Sequence, residues 1–208
     1  MARRRGLFIS LEGPDGAGKS TQAKLLAAFL KRRGSRVLLT REPGGSAQAA
    51  KIRALVLGAK GYLSPSAELL LFLADRAQHV NDTILPALAQ GQVVLCDRFS
   101  DSTLAYQGGG RGFKLEQLEP LNRFATGGLK PDLTLLFDLK ESVGLGRAIK
   151  RGAADRMEKA GGKFHARVRA VFLRLAKKEP RRIKVLRVAG KSPDEVKDEA
   201  MTHIQRLL

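Results

Sequence analysis

The 208-residue sequence has one cysteine, Cys96, no tryptophan, and aromatic side chains at only 5% of its positions. A single cysteine excludes an intramolecular disulfide, and no Cys/His spacing of a zinc site is present. So few aromatic faces leave little on which the bases of a single nucleic-acid strand could stack. No apolar run approaches the roughly 20 residues that a helix needs to cross a bilayer. The opening MARRRGLFIS places basic residues before apolar ones, but its apolar part runs straight into Glu12 and a glycine-rich loop. A first strand is the better reading than an export signal. Together these absences predict a cytoplasmic protein with no membrane partner.

Acidic residues are scarce as well. Asp and Glu number 20 against 38 Lys and Arg, a formal net charge of +18. Between Arg147 and Arg187, fifteen basic residues face three acidic ones, a net of +12. A field of that sign attracts polyanions, either nucleotides or nucleic acid.

What is present is the pattern of an α/β domain. Continuous apolar runs at 7–12, 36–40, 93–97, 133–139 and 184–189 suit parallel strands buried on both faces. Helical patterns fall between them, at 20–34 with Gly34 as its stop and at 66–91 with Pro86 bending it. The alternation predicts a single domain over residues 1–208, built on a doubly wound parallel sheet flanked by helices. The charged, glycine-containing stretch around 151–163 is the candidate mobile segment.

The strongest motif is GPDGAGKS, Gly13 to Ser20, between a strand pattern and a helix pattern. It matches the phosphate loop, whose backbone N–H groups and helix N-terminus converge on phosphate oxygens. Lys19 would bridge the β- and γ-phosphates, and Ser20 would help hold Mg²⁺. Such a loop admits a small-molecule kinase, a nucleic-acid-dependent ATPase or a nucleotide switch; the other strand ends must decide. The second strand ends in TREPGGS, with Arg41 and Glu42 together; the third ends in CDRF. There Asp97 can reach Mg²⁺ and its waters, and the planar fork of Arg98 can clamp a phosphate. Phe72 and Arg76, four apart on one helix face, could stack on a base and hydrogen-bond its edge, while Asp75 faces elsewhere. DSTLAYQ, at 101–107, reads as a short helix ended by the glycines of the AYQGGGRG stretch, with Tyr106 and Gln107 on its last turn.

Read together, GPDGAGKST, TREPGG, LLFLADRAQH, VVLCDRFSDSTLAYQGGGRG, LKPDLTLLFDL and DRMEKAGGKFH resemble the thymidylate kinases of the bacterial type, over nearly the whole chain. The resemblance implies transfer of the γ-phosphate of ATP to dTMP with Mg²⁺, on a five-stranded parallel sheet of the nucleoside monophosphate kinase type, in a homodimer. ATP would lie on Gly13, Pro14, Asp15, Gly16, Ala17, Gly18, Lys19, Ser20 and Thr21, with Arg151 from a lid at about 147–163. For dTMP it implies Phe72 stacked on thymine, Arg76 on the base edge, and Ser102, Thr103 and Gln107 lining the base pocket. Tyr106 would pack against C2′ of the sugar, and Asp15 would lie near its 3′-hydroxyl. Glu42, Arg53 and Arg98 would surround the acceptor phosphate. Lys19, Arg98, Arg156 and Asp15 would carry the chemistry, with Ser20 and Asp97 at the metal.

The sequence departs from this family in three respects. Gly16 stands where some members carry an arginine inside the loop, so the lid must supply that cation, and Arg156 matches best among Arg147, Arg151 and Arg156. Phe99 replaces a frequent Tyr or His, and Ala160 and Gly161 stand where a second acidic residue is usual. The high positive charge leaves weak nucleic-acid binding open, and with it the alternative of a nucleic-acid-binding P-loop ATPase.

Overall fold

The computed structural model describes residues 5–59, 61–150, 156–157 and 160–208. Its sheet comprises β1 (Phe8–Glu12), β2 (Val37–Arg41), β3 (Val93–Asp97), β4 (Leu133–Asp138) and β5 (Ile183–Arg187). All pair in parallel, in the order β2-β3-β1-β4-β5. The expected five-stranded parallel sheet is therefore present, with each strand within two residues of the apolar run that predicted it. The three inner strands are almost wholly buried, whereas β2 and β5, at the edges, are only partly so.

Nine α-helices are described: α1 (Lys19–Arg32), α2 (Ala47–Gly58), α3 (Pro65–His79), α4 (Leu85–Ala89), α5 (Ser100–Thr103), α6 (Leu115–Thr126), α7 (Glu141–Lys150), α8 (Gly162–Lys178) and α9 (Pro193–Ile204). One face of the sheet offers Ile9, Leu11, Leu95, Leu135 and Phe137 to α1 and α9. The other face packs Leu136 and Ile183 against α3, α6 and α8, and Phe8, Val94 and Cys96 against residues 80–88. Adjacent strand residues thus enter opposite layers, as the two-residue strand period requires.

The helix expected over 66–91 is α3, a π-helical turn at Val80–Ile84, and α4 in unbroken succession. The widened turn lies just before Pro86, whose ring crowds the carbonyl four residues back and which has no N–H to offer it.

The expectation for the glycine run is corrected. Gly108, Gly109 and Gly110 do not stop a helix; they lie within a π-helical segment, Leu104–Gly110, that continues α5. Their role is close packing. A Cβ on Gly109 would sit 2.8 Å from the carbonyl oxygen of Arg167, and one on Gly110 would sit 2.3 Å from the Phe164 ring. Helix α8 therefore rests directly on bare backbone, and Arg167 donates to the carbonyls of Gly109 (2.9 Å) and Gly110 (3.0 Å).

Candidate active site

The chain leaves β1 toward β2 on one side, and β4 lies on the other, so the sheet has its switch point at β1. Ligands of open α/β sheets bind outside the C-terminal strand ends at such a point. Register brings Leu11 of β1 and Arg41 of β2 both opposite Asp97 of β3. The phosphate loop, the REP turn and the CDRF turn consequently open onto one cleft of about 260 Å³.

The loop forms as its motif predicts. Gly16 adopts φ 75°, and a Cβ there would lie 2.1 Å from the Gly144 carbonyl of α7. That contact gives a physical reason for the missing loop arginine: no side chain fits at position 16 while α7 packs there. Lys19 is buried and folds back to donate to the Pro14 carbonyl at 2.8 Å. Burial and the nearby charge of Arg98 lower its pKa to about 8. The Ser20 hydroxyl donates to Asp97 Oδ2 at 2.5 Å. A hydroxyl and a carboxylate oxygen meeting beside the loop lysine are hard donors of the kind Mg²⁺ prefers, so these residues fit that ion.

Arg98 organises the acceptor side. Its guanidinium reaches Asp15 Oδ1 (2.6 Å), the Tyr106 hydroxyl (3.0 Å), Ser102 Oγ (3.2 Å) and the Gly13 carbonyl (3.1 Å). Tyr106 in turn donates to Asp15 Oδ2 at 2.8 Å. Burial opposes the charge on Asp15, but Arg98, Lys19 and the Tyr106 hydroxyl outweigh it and hold the carboxyl well below its ordinary range. Among the described residues Arg98 is the only non-glycine with positive φ, at 73°. Strained backbone of this kind gathers where a side chain has to be aimed.

On the far wall, Phe72 is half-buried and lines the cleft, as does Arg76 one turn on. Arg76 is held rigidly: Nε to Glu42 (2.8 Å), Nη1 to Thr103 (2.7 Å) and Asn122 (2.7 Å), Nη2 to the Phe99 carbonyl (3.0 Å). Phe99 is fully buried, edge-on to Phe8 and beneath the Arg76 guanidinium, so the departure at this position serves packing.

Two carboxylates of this wall sit otherwise than their sequence positions predicted. Glu42 lines the cleft, but its carboxylate turns inward onto Arg76 and His79 (3.1 Å) rather than outward toward an acceptor phosphate. Asp75 does not face elsewhere; it lines the same cleft, accepts the Gly44 N–H at 2.7 Å, and is raised to about 7 by burial and by Glu42. Arg53 lines the cleft too and donates to the Pro43 carbonyl at 2.8 Å.

Sequence reasoning missed two buried carboxylates. Glu12, at the end of β1, accepts the Phe99 N–H (2.8 Å) and the Ser102 hydroxyl (2.6 Å). Burial and the neighbouring Asp101 charge push it up to about 8. Glu68 accepts from Gln107, Arg111 and Arg156. A signal for it was available, since Glu68, Phe72 and Arg76 stand at i, i+4 and i+8 of one helix and so form one stripe. This contact also gives Arg111 a role, as a buried-carboxylate partner stacked over Phe164.

Of the expected lid, Arg147 is exposed on α7, and Arg156 rests on Glu68 and the Val56 carbonyl. Arg151 lies outside the described residues.

A cleft that runs from a phosphate loop to a wall of arginine, amide and aromatic side chains suits a donor triphosphate meeting a small nucleotide acceptor. On this sheet, that makes the protein a P-loop kinase of the nucleoside monophosphate type. A family model described as thymidylate kinase matches residues 11–200, and the chain belongs to the thymidylate kinase family. It is 53% identical over 190 residues to a thymidylate kinase of Pseudomonas syringae pv. tomato, covering 91% of this chain and 90% of that one. It is 49% identical over 204 residues to one of Pseudomonas fluorescens, covering 98% and 93%. The crystal structure of thymidylate kinase from Ehrlichia chaffeensis superposes with a TM-score of 0.80 at 35% identity, over 97% of this chain and 99% of that one. The alternative of a nucleic-acid-binding ATPase finds no support among these relatives.

Proposed function

We propose that the cleft transfers the γ-phosphate of ATP to dTMP, giving dTDP and ADP for dTTP synthesis, with the residues acting as follows. The observation that carries this reading is that the phosphate-loop lysine and the Arg98–Asp15–Tyr106 cluster line one cleft with Phe72 and Arg76. Loop residues 13–21 cradle the donor phosphates, and Lys19 swings from the Pro14 carbonyl to the phosphates it neutralises. Ser20 and Asp97 would hold Mg²⁺, which, when bound, supplies positive charge at the donor phosphates. Arg98 receives the acceptor phosphate from a guanidinium already aimed by Ser102 and Tyr106. Arg53 flanks it, and Glu42 acts indirectly by fixing Arg76.

Phe72 stacks on the thymine, and Arg76, Ser102, Thr103 and Gln107 form its polar surround. The Tyr106 ring closes the space at C2′ of the sugar, with Asp15 near the 3′-hydroxyl. Arg156, and Arg151 with it, belong to a lid over about 147–163 that brings cations to the transferring group, because Gly16 leaves the loop without one. Phosphoryl transfer needs this placement and charge more than a covalent partner.

The same proposal includes a cytoplasmic homodimer. No helix among the described residues is long and apolar enough to cross a membrane. The basic surface steers nucleotides, and any binding to nucleic acid is weak and lost near physiological salt through counterion release.

The test is ADP release measured with a panel of nucleoside monophosphates. Preference for dTMP over dUMP, dCMP, dGMP and AMP supports the reading, and equal turnover of all of them, or turnover driven by DNA alone, refutes it.

A further inference from the structure

Glu68 is fully buried one turn before Phe72 on α3, and its two oxygens are saturated. Oε1 accepts from Gln107 Nε2 and Arg111 Nε, each at 3.0 Å. Oε2 accepts from Arg111 Nη2 at 2.8 Å and Arg156 Nη2 at 2.5 Å. Burial alone would raise its pKa, but the hydrogen bonds from Arg111 and Gln107 and the charges of both arginines outweigh burial and lower it. Glu68 is thus a carboxylate, which can accept hydrogen bonds but cannot donate them.

This fixes which way the Gln107 amide faces. A glutamine amide can turn over, exchanging a donor for an acceptor at nearly the same place. Gln107 cannot, because only its NH₂ satisfies Glu68. Its Oε1 is then left without a partner among the described residues, on a side chain that lines the cleft. A pyrimidine whose N3 carries a proton, thymine or uracil, can donate to that oxygen. Cytosine presents a lone pair at N3 and is repelled.

We propose that Glu68 is a positioning residue that sets the amide orientation of Gln107 and so selects a 3-NH pyrimidine over cytosine. The inference rests on the placement of Gln107 at the base proposed above. Specificity here comes from a group that never touches the substrate. Arg111, stacked over Phe164, pins the carboxylate in place.

Glu68→Gln tests it. A second amide at position 68 can donate to Gln107 Oε1, turning the Gln107 NH₂ toward the base. Affinities for dTMP and dCMP, by calorimetry, and kcat/KM for both are the readouts. The ratio favouring dTMP should fall at least about tenfold, since a site built to pair one polar pattern discriminates strongly against its inverse. Part of that change should be a gain in dCMP affinity, which a merely structural lesion would not give. In a Gln107→Leu background the same substitution should change the ratio no further. Arg111→Ala keeps the carboxylate but removes two of the hydrogen bonds that hold it, so the ratio should fall less than in Glu68→Gln, and a fall as large with no gain in dCMP affinity would point to a structural lesion instead. If Glu68→Gln melts too low to assay, Glu68→Asp, which withdraws the acceptor by one methylene, should lower the ratio partially. An unchanged ratio in folded Glu68→Gln, or in Glu68→Asp when that variant is the one assayed, overturns the role of Glu68, provided Gln107→Leu collapses the ratio. If Gln107→Leu also leaves it unchanged, the base-site reading itself fails.

Discussion

Arg98 donates to the carboxylate of Asp15 at 2.6 Å, joining the turn after β3 to the phosphate loop in the lining of the cleft. Both side chains are about four-fifths buried, so water screens the pair only partly. The arginine is held in position before any acceptor arrives, at the cost of a positive φ. An incoming phosphate dianion would thus find a guanidinium already oriented rather than one that must be ordered.

Arg98→Lys is therefore not conservative. An ammonium cannot span Asp15, Tyr106 and a phosphate with a planar fork. We expect kcat/KM for dTMP to fall at least about 10²-fold, comparable to losing one preorganised donor at a reacting centre. Steady-state kinetics with Tm as a folding control checks this, and activity within tenfold of wild type would remove Arg98 from the site.

Lys19 gives a pH prediction. With its pKa lowered to about 8 in the free protein, it holds its proton below that value and loses it above. The log of kcat/KM for ATP, which reports the free enzyme, should decline as pH rises past about 8. Lys19→Arg, whose side chain stays charged, should abolish that decline whatever its absolute rate. Lys19→Ala should lose turnover by at least about 10²-fold while dTMP binding, measured by calorimetry, stays within a few-fold.

Two glycines predict opposite signs of stability change. Gly109→Ala drives a Cβ to within 2.8 Å of the Arg167 carbonyl and of Val171, so α8 has to move. Overpacking of this sort costs about 1–3 kcal/mol. Gly146, exposed on α7, meets nothing within 4 Å, and Gly146→Ala should stabilise that helix by up to about 1 kcal/mol. Thermal unfolding of both variants measures the contrast; equal shifts would mean that the packing of α8 on the glycine run is not tight.

Glu12 makes stability fall as pH rises. Its folded pKa, raised to about 8 from 4.5, means that the folded protein binds a proton that the unfolded chain has released between those values. Stability is then full below about pH 4.5 and declines toward pH 8. Asp75, raised to about 7, adds to the same trend. Glu12→Gln removes the titrating group, so its Tm should drop between pH 5.5 and 8 by at least about 4 °C less than that of the wild type. Parallel Tm curves would place Glu12 ionised in the folded state.

The sequence by itself determined the parallel sheet, the phosphate loop and the identity of most cleft residues. Apolar runs of five to seven residues report strands buried on both faces, and the loop motif is local, so chain order alone carries both. The face shared by Phe72 and Arg76 was legible for the same reason, through helical spacing. Tertiary structure decided what the charged residues do. Glu42 turned out to hold Arg76 and His79, and Asp75 to join the cleft, because the partners of a buried carboxylate come from other elements. Glu68 gathers Gln107, Arg111 and Arg156 from 39, 43 and 88 residues away. No spacing rule spans such distances. The glycine run, too, reads as a stop until α8 is seen lying on it, because a close approach belongs to two segments at once and neither one encodes it alone.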